Sequence, residues 1–564
     1  MHVTRSWKKS LNDGVFLLST SKVRTSKVAT LEVGTLEVLL IAIIFLFSCV
    51  NKPVGLGSRP QKIFFNAETT AAPVIRNLEH NPMVRVYLNI PDSMGTLNLK
   101  FIRLGLNKDA VKDIESITIY NNRSKKEFDP TSPPTVVTNI SDLMYVPVEI
   151  NAEPGDNYIW LSAKLRSSAM LDGLVSLYVR DLTDNKGIKY DIINIWNEGN
   201  ESFKKRRAVA VRKAGEDGVH TFRIPGLTTT DKGTLIAVYD NRYKASGDLP
   251  GNIDVGMSRS NDGGQTWEPM RVIMDMGEPH ENNGVGDPAI LFDPVSKKIF
   301  VAALWSKGNR SIAGSGPGLT PDETGQLVIV ESNDNGVTWS APVSITPQVK
   351  NPVWRIFFNG PGNGIVMKDG KLVFPAQYWD SAGMPYSTII YSDDHGRSWK
   401  AGTGAKSNTT ESQVVEIKDG VLMLSMRDNR GKFRSISTTT DMGASWTEHP
   451  TSYNTLEDPV CMAGLMKASM NWEGKARDFL FFSNPASSHG RVNLSVRYSM
   501  DLGETWPSSQ KVLIDERKSY GYSVMTKIDN DTIGLLYEGT GDLYFVRIPV
   551  SSLVSRQPRS RSTY

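Results

Sequence analysis

The chain has 564 residues, 39% of them hydrophobic and 22% charged, enough to bury the cores of two domains. Its net charge is +4, but the first 48 residues hold six Lys/Arg against three acids, so the remainder lacks the basic surplus of a nucleic-acid-binding protein. Seven scattered histidines, two cysteines and no HExxH motif form no set of metal ligands, and neither a metal nor another cofactor is expected.

The first segment, residues 1–49, reads as an export signal. Residues 38–47 are an apolar run too short to span a bilayer but long enough for a signal-peptide core. The run closes on Leu46-Phe47-Ser48-Cys49, which resembles a bacterial lipoprotein cleavage box with Cys49 as the lipid-bearing residue. The protein is therefore expected to be exported, at the cell surface or in the periplasm on a lipid anchor, or secreted without one. Cys461 is then left without an intramolecular partner.

Residues 50–61 read as a Gly/Pro-containing tether. Over residues 62–195, short alternating runs (VRVYLNI, TLNLKFIRLGL, SITIYNN, DNYIWLSAKL, VSLYVRDL) lie between Pro, Gly, Asn and Asp clusters, the pattern of a β-sandwich. Carbohydrate binding is one expected role for this domain and a structural spacer the other. A polar linker, 196–206, leads into the second half.

One motif recurs five times beyond it: SNDGGQTW at 260–267, SNDNGVTW at 332–339, SDDHGRSW at 392–399, TTDMGASW at 439–446 and SMDLGETW at 499–506. Each has the chemistry of a hairpin turn. The Asp can accept backbone N–H groups, the Gly can enter the left-handed region, and the Trp is a large apolar plug for the space between sheets. The steps between copies are 72, 60, 47 and 60 residues, which suits four-stranded blades with insertions. Five blades carry a copy. A sixth is expected from YSVMTKI, TIGLLYE and LYFVRIPV, completed by RAVAVRK at 207–213. The expected fold is all-β: a six-bladed β-propeller over 207–550, preceded by the β-sandwich and followed by a tail, 551–564.

Three arginines stand near strand ends in different predicted blades: Arg223 in FRIPGL, Arg427 in LSMRDN and Arg491 in SHGRVNLSVR. Any one alone would ordinarily be a solvated ion pair. Three aimed into one propeller mouth would form a forked trap for a carboxylate.

FRIP followed by these repeats, known as Asp boxes, resembles the sialidase (neuraminidase) family over roughly residues 207–549. That resemblance implies that Arg223, Arg427 and Arg491 clamp the carboxylate of a sialic acid on a sialylated glycan. It also implies that Tyr522 in GYSVM is the nucleophile and that Glu411 in TTESQVVEI is its base. Glu538 in LLYEG would steady Arg223, and Asp248 in SGDLPG would be the general acid. Arg242 and Asp287 would line the pocket floor. Glu411 precedes Arg427 by 16 residues, and Tyr522 precedes Glu538 by 16, as the family pattern has it. The arginines are also expected to draw some phenolate character from Tyr522. Trp305 and Gln326 are further candidate contacts. The implied activity is a retaining exo-α-sialidase. Alternatives are a trans-sialidase, including an anhydro-forming one, and a non-catalytic sialoglycan-binding propeller.

Overall fold

The computed structural model describes residues 65–196 and 204–554. The expected export segment, the tether, most of the linker and most of the tail lie outside the described residues. Strands dominate the remainder, and the two α-helices, Lys108–Val111 and Thr346–Val349, are each a single turn.

The sandwich is built from two sheets. One runs, in spatial order, Ile193–Trp196, Phe65–Thr69, Asn81–Ile90, Gly155–Leu165, Ile114–Arg123 and Pro134–Val137. The other runs Lys189–Asp191, Leu177–Asp184, Leu97–Leu106 and Leu143–Ala152. Burial along Leu143–Ala152 alternates at every residue, the period-2 signature of a strand with one wet face. Its buried side, Met144, Val146, Val148 and Ile150, meets Val86, Leu88, Ile159 and Leu161 of the facing sheet in one core.

Six four-stranded blades follow. Their innermost strands are Thr221–Thr229 in blade 1, Asn283–Phe292 in blade 2 and Ile356–Asn359 with Ile365–Val366 in blade 3. Thr409–Lys418, Gly464–Trp472 and Ser523–Lys527 are the innermost strands of blades 4, 5 and 6. The ring closes as expected: Lys205–Arg212 pairs antiparallel with Leu543–Pro549 as the fourth strand of blade 6, with Ala208 opposite Val546. Val74–Arg76 then pairs with that same strand, and so does Leu174–Val175, so chain from the sandwich region covers the edge of the closing blade.

Each blade strand feeds two cores because successive side chains point to opposite faces. In Leu235–Arg242, Leu235, Ala237 and Tyr239 pack toward blade 6, whereas Ile236 and Val238 pack toward blade 2. A separate apolar core fills each of the six interfaces between neighbouring blades. The Asp-box tryptophans are distributed one per interface. Trp267 lies between blades 6 and 1, Trp339 between 1 and 2, Trp399 between 2 and 3, Trp446 between 3 and 4, and Trp506 between 4 and 5. The sixth interface has no box and is filled by Tyr498, Tyr537 and Tyr544 instead.

The boxes themselves share one hydrogen-bond pattern. In the third, the Gly396 amide donates to Ser392 Oγ (2.8 Å), the Ser398 amide to Asp394 Oδ1 (2.9 Å) and Ser398 Oγ to Asp394 Oδ2 (2.6 Å). Gly396 has φ +85°, and a Cβ there would lie 2.5 Å from the ring of Phe300 in the neighbouring blade. Glycine is required both by the turn and by the packing behind it.

Candidate active site

All nine predicted side chains lie in one end of the propeller, supplied by blades 1, 2, 4, 5 and 6. Tyr522 is the centre. It stands just before the innermost strand of blade 6 and is 5% exposed. Its hydroxyl donates to Glu411 Oε1. Arg427 Nη1 donates to the Tyr522 hydroxyl (3.1 Å) and to Glu411 Oε2 (2.6 Å). The guanidinium carbons of Arg223 and Arg491 lie 5.2 and 5.6 Å from the Tyr522 ring centre. Three cations and one carboxylate thus surround a single phenol.

The burial that assembles this cluster also sets its protonation. Burial and then the Glu411 carboxylate push the Tyr522 phenol well above its ordinary value, and the pull of Arg427 and Arg223 is too weak to reverse this. The expected phenolate character is therefore absent at rest: Tyr522 is a neutral phenol with its proton aimed at Glu411.

Arg223 is held by Glu538, which is wholly buried. Arg223 Nε and the Ile224 amide both donate to Glu538 Oε1, at 3.1 and 2.9 Å, and the Tyr522 amide donates to Oε2 at 2.9 Å. Burial alone would lower the Arg223 guanidinium; Glu538, with Tyr522 and Asp248, outweighs it and holds the group charged. Tyr520, which the sequence reading passed over, lies under the same guanidinium at 4.7 Å. Arg491 donates to the carbonyls of Tyr520 (2.8 Å) and Val460 (3.3 Å) and has no carboxylate partner among the described residues.

Local backbone strain aims two of these groups. Ile224 has φ +55° and Asp287 φ +58°, and each sits at a bulge in an innermost strand. A β-branched residue there is a steric outlier, and such strain persists only where the surroundings enforce it. A buried carboxylate pins each bulge by its amide: Glu538 holds Ile224, and Asp240 holds Asp287 (2.9 Å). The bulge re-aims the neighbouring side chain toward the mouth.

Asp240 is the second residue the sequence reading missed. It lies two positions before Arg242 on the same strand face, and that spacing was the available signal. Arg242 Nε and Nη2 donate to its Oδ2 at 3.1 and 2.9 Å, both residues being 1% exposed. Burial pushes the Asp240 carboxyl up to about 6, even beside Arg242. Asp287 is pushed well above the usual carboxylate range by burial and by Asp240, Asp248 and Glu411, which favours its protonated form. Asp248 stands apart on an exposed loop, its side chain 76% accessible, with Oδ1 accepting from Arg242 (2.7 Å) and Arg223 (3.4 Å). Partial burial opposes its charge, but the two arginines prevail and hold its carboxyl below the ordinary range.

Gln326 is not a pocket contact. It is 2% exposed, its amide donates to the carbonyls of Leu319 and Thr324, and its oxygen accepts from Ser344. The Trp305 indole donates to Asn283 (2.7 Å). Among the described residues no group of His, Cys, Asp and Glu side chains could hold a metal ion.

A six-bladed propeller with a buried Tyr–Glu pair ringed by arginines defines a glycosidase of the sialidase class. Residues 224–499 match the family model of the BNR repeat-like domain. The chain is 39% identical over 505 residues to a sialidase of Bacteroides fragilis, covering 84% of this chain and 92% of that one. It is 35% identical over 356 residues to a sialidase of Micromonospora viridifaciens, covering 61% of this chain and 54% of that protein. Among solved structures, the Hadza microbial sialidase Hz136 superposes with a TM-score of 0.80 at 36% identity, covering 87% of this chain and 100% of that one. The chain belongs to the bacterial exo-α-sialidase family.

Proposed function

We propose that the protein hydrolyses terminal sialic acids from glycoproteins, glycolipids or oligosaccharides with retention of configuration, Tyr522 being the nucleophile. One observation carries the reading: the Tyr522 hydroxyl is hydrogen-bonded to Glu411 in the midst of Arg223, Arg427 and Arg491. A sialic acid bears its carboxylate on the anomeric carbon. The arginines suit that carboxylate, and a carboxylate nucleophile would be repelled by it. Tyrosine nucleophiles in sialidases are a recognised exception among retaining glycosidases. A neutral phenol approaches without repulsion, and its proton passes to Glu411 as its oxygen bonds to the anomeric carbon.

Asp248 supplies the proton to the departing glycosidic oxygen. At rest it is ionised beside Arg242 and Arg223. A bound sialic acid carboxylate competes for Arg223 and adds negative charge nearby, and both effects raise the Asp248 carboxyl toward the protonated form. In the second half Asp248 takes a proton from water, whose oxygen attacks the anomeric carbon. The Tyr522 oxygen leaves and recovers its proton from Glu411. Two inversions give net retention.

Proton NMR of the protein acting on sialyllactose, with Tyr522→Phe in parallel, tests this. The α-anomer of free sialic acid should appear first, and the variant should lose nearly all turnover with its fold intact. An anhydro-sugar or a transferred product would move the protein to the trans-sialidases. Binding without turnover of any linkage would leave a sialoglycan-binding propeller.

A further inference from the structure

Blade 3 contributes none of the nine site residues, yet it stands in the ring between Asp287 of blade 2 and Glu411 of blade 4. Its strand Leu372–Trp379 runs outward from the site. Asn359 of its first strand donates to the Asp287 carbonyl (2.6 Å) and pairs with Ala376; three positions on, Ile356 pairs with Trp379. Trp379 therefore stands about 10 Å along the strand from the level of Asp287, toward the rim.

A recess of about 350 Å³ opens there, lined by Trp379, Arg355, Asn408, Asn429, Ile312 and Ala313 among others. Its walls connect to the catalytic groups on both sides. Trp379 packs on the Leu304, Ile356 and Phe358 cluster, and Leu249, the neighbour of Asp248, packs on the same cluster. On the far side Asn408 lies three residues before Glu411 and Asn429 two residues after Arg427; Asn429 Nδ2 donates to Asn408 Oδ1 (3.2 Å). The recess thus shares an apolar floor with the loop that carries the acid, on the side from which a leaving group departs.

Its chemistry is that of a sugar site. Trp379 is half-buried and offers a flat apolar face, and its indole N–H has no partner among the described residues. The exposed Arg355 guanidinium likewise has no hydrogen-bond or ion-pair partner among the described residues. Gly383 leaves it room, since a Cβ there would sit 3.2 Å from Arg355 Nη1. On the opposite face of the same strand Trp354, Tyr378 and Tyr386 stack within 14° of parallel, which stiffens the blade that carries Trp379. An apolar platform with a few fixed donors and amides matches the apolar face and hydroxyl rim of a neutral pyranose.

We propose that the top of blade 3 is the subsite for the neutral sugar to which the sialic acid is attached, with Trp379 as its stacking platform and Arg355, Asn408 and Asn429 binding its hydroxyls. This rests on the sialidase reading above. The test is kcat/KM for 3′-sialyllactose against methyl α-sialoside, whose aglycone is too small to reach the recess. Trp379→Ala should lower the sialyllactose value about tenfold, the size of one aromatic contact, and leave methyl α-sialoside within about twofold of wild type. Lactose should also weaken as a product inhibitor. Trp379→Phe should recover most of the loss, and Arg355→Ala, at an exposed position, gives a second reading if Trp379→Ala folds poorly. An equal fall on both substrates would make Trp379 structural, and no change on either would empty the subsite. A loss confined to an α2,8-disialyl substrate would put an acidic sugar there; each of the three overturns the proposal. Failure of the unaltered protein to act on either substrate would instead remove the sialidase reading itself.

Discussion

Glu538 accepts from Arg223, from the strained Ile224 amide and from the Tyr522 amide, and no part of it meets solvent. One carboxylate therefore positions an arginine, a bulge and the central tyrosine together. Glu538→Gln keeps its size but removes the buried charge opposite Arg223, leaving that cation only the exposed Asp248 at 3.4 Å. Urea denaturation is expected to show a loss of about 3–5 kcal/mol, the cost of breaking a buried ion pair from one side. Its kcat/KM on sialyllactose should fall further than that of a surface Glu→Gln control, because Arg223 and Tyr522 both lose their reference point. The types and order of these residues were legible from the sequence, through FRIP, the two 16-residue spacings and the family resemblance. Their protonation was not. Tyr522 keeps its proton and Asp287 is pushed toward its protonated form by what surrounds them after folding, and the contacts come from blades far apart in the chain.

At the scale of single elements, the Asp boxes are the most legible part of the protein. Gly396 and Gly420 both adopt positive φ, +85° and +73°, but a Cβ at Gly420 meets nothing within 4 Å whereas one at Gly396 meets Phe300 at 2.5 Å. Gly420→Ala should cost only the backbone penalty, about 1–2 kcal/mol. Gly396→Ala should cost that plus about 1–3 kcal/mol of overpacking; equal losses in chemical denaturation would show that the Phe300 contact relaxes freely. The closing strand Lys205–Arg212 holds a different feature. Lys205 is 4% exposed, its ammonium donates to Thr70 Oγ1 (2.6 Å) and the Ala72 carbonyl (3.0 Å), and burial lowers it from 10.5 to about 7. Between those values the unfolded chain binds a proton that the native chain has released. Stability from this group therefore rises with pH from about 7 to about 10.5, by on the order of a few kcal/mol. Unfolding curves at pH 6.5, 8 and 9.5 should show that rise, and Lys205→Met should remove it. A wild-type curve no steeper than the variant's would mean that Lys205 keeps its proton in the native state.

Across the whole molecule, sandwich and propeller share hydrogen-bonded structure. Val74–Arg76 and Leu174–Val175 join the closing blade, Arg207 bridges to Asp113 (2.8 Å), Arg547 bridges to Asp172 (2.7 Å), and Arg76 donates to the carbonyls of Ala169 and Gln265. Scanning calorimetry should accordingly give one transition, and Asp113→Ala, which strands Arg207 at 2% side-chain exposure, should lower it. Two resolved transitions would mean that the joint is weaker than its contacts imply. The boundary expected at 196–206 misses this joint because strand pairing between distant segments leaves no local mark. The sequence by itself determined the repeats, the blade count and the closing strand, since turns and strand alternation are written in neighbouring residues. Only the tertiary structure decided which charges meet. Arg223 and Glu538 are 315 residues apart in the chain and 3.1 Å apart in space. Asp240 joined the site, Gln326 left it, and blade 3 gained a recess, because convergence of six blades on one axis is a property of the closed ring.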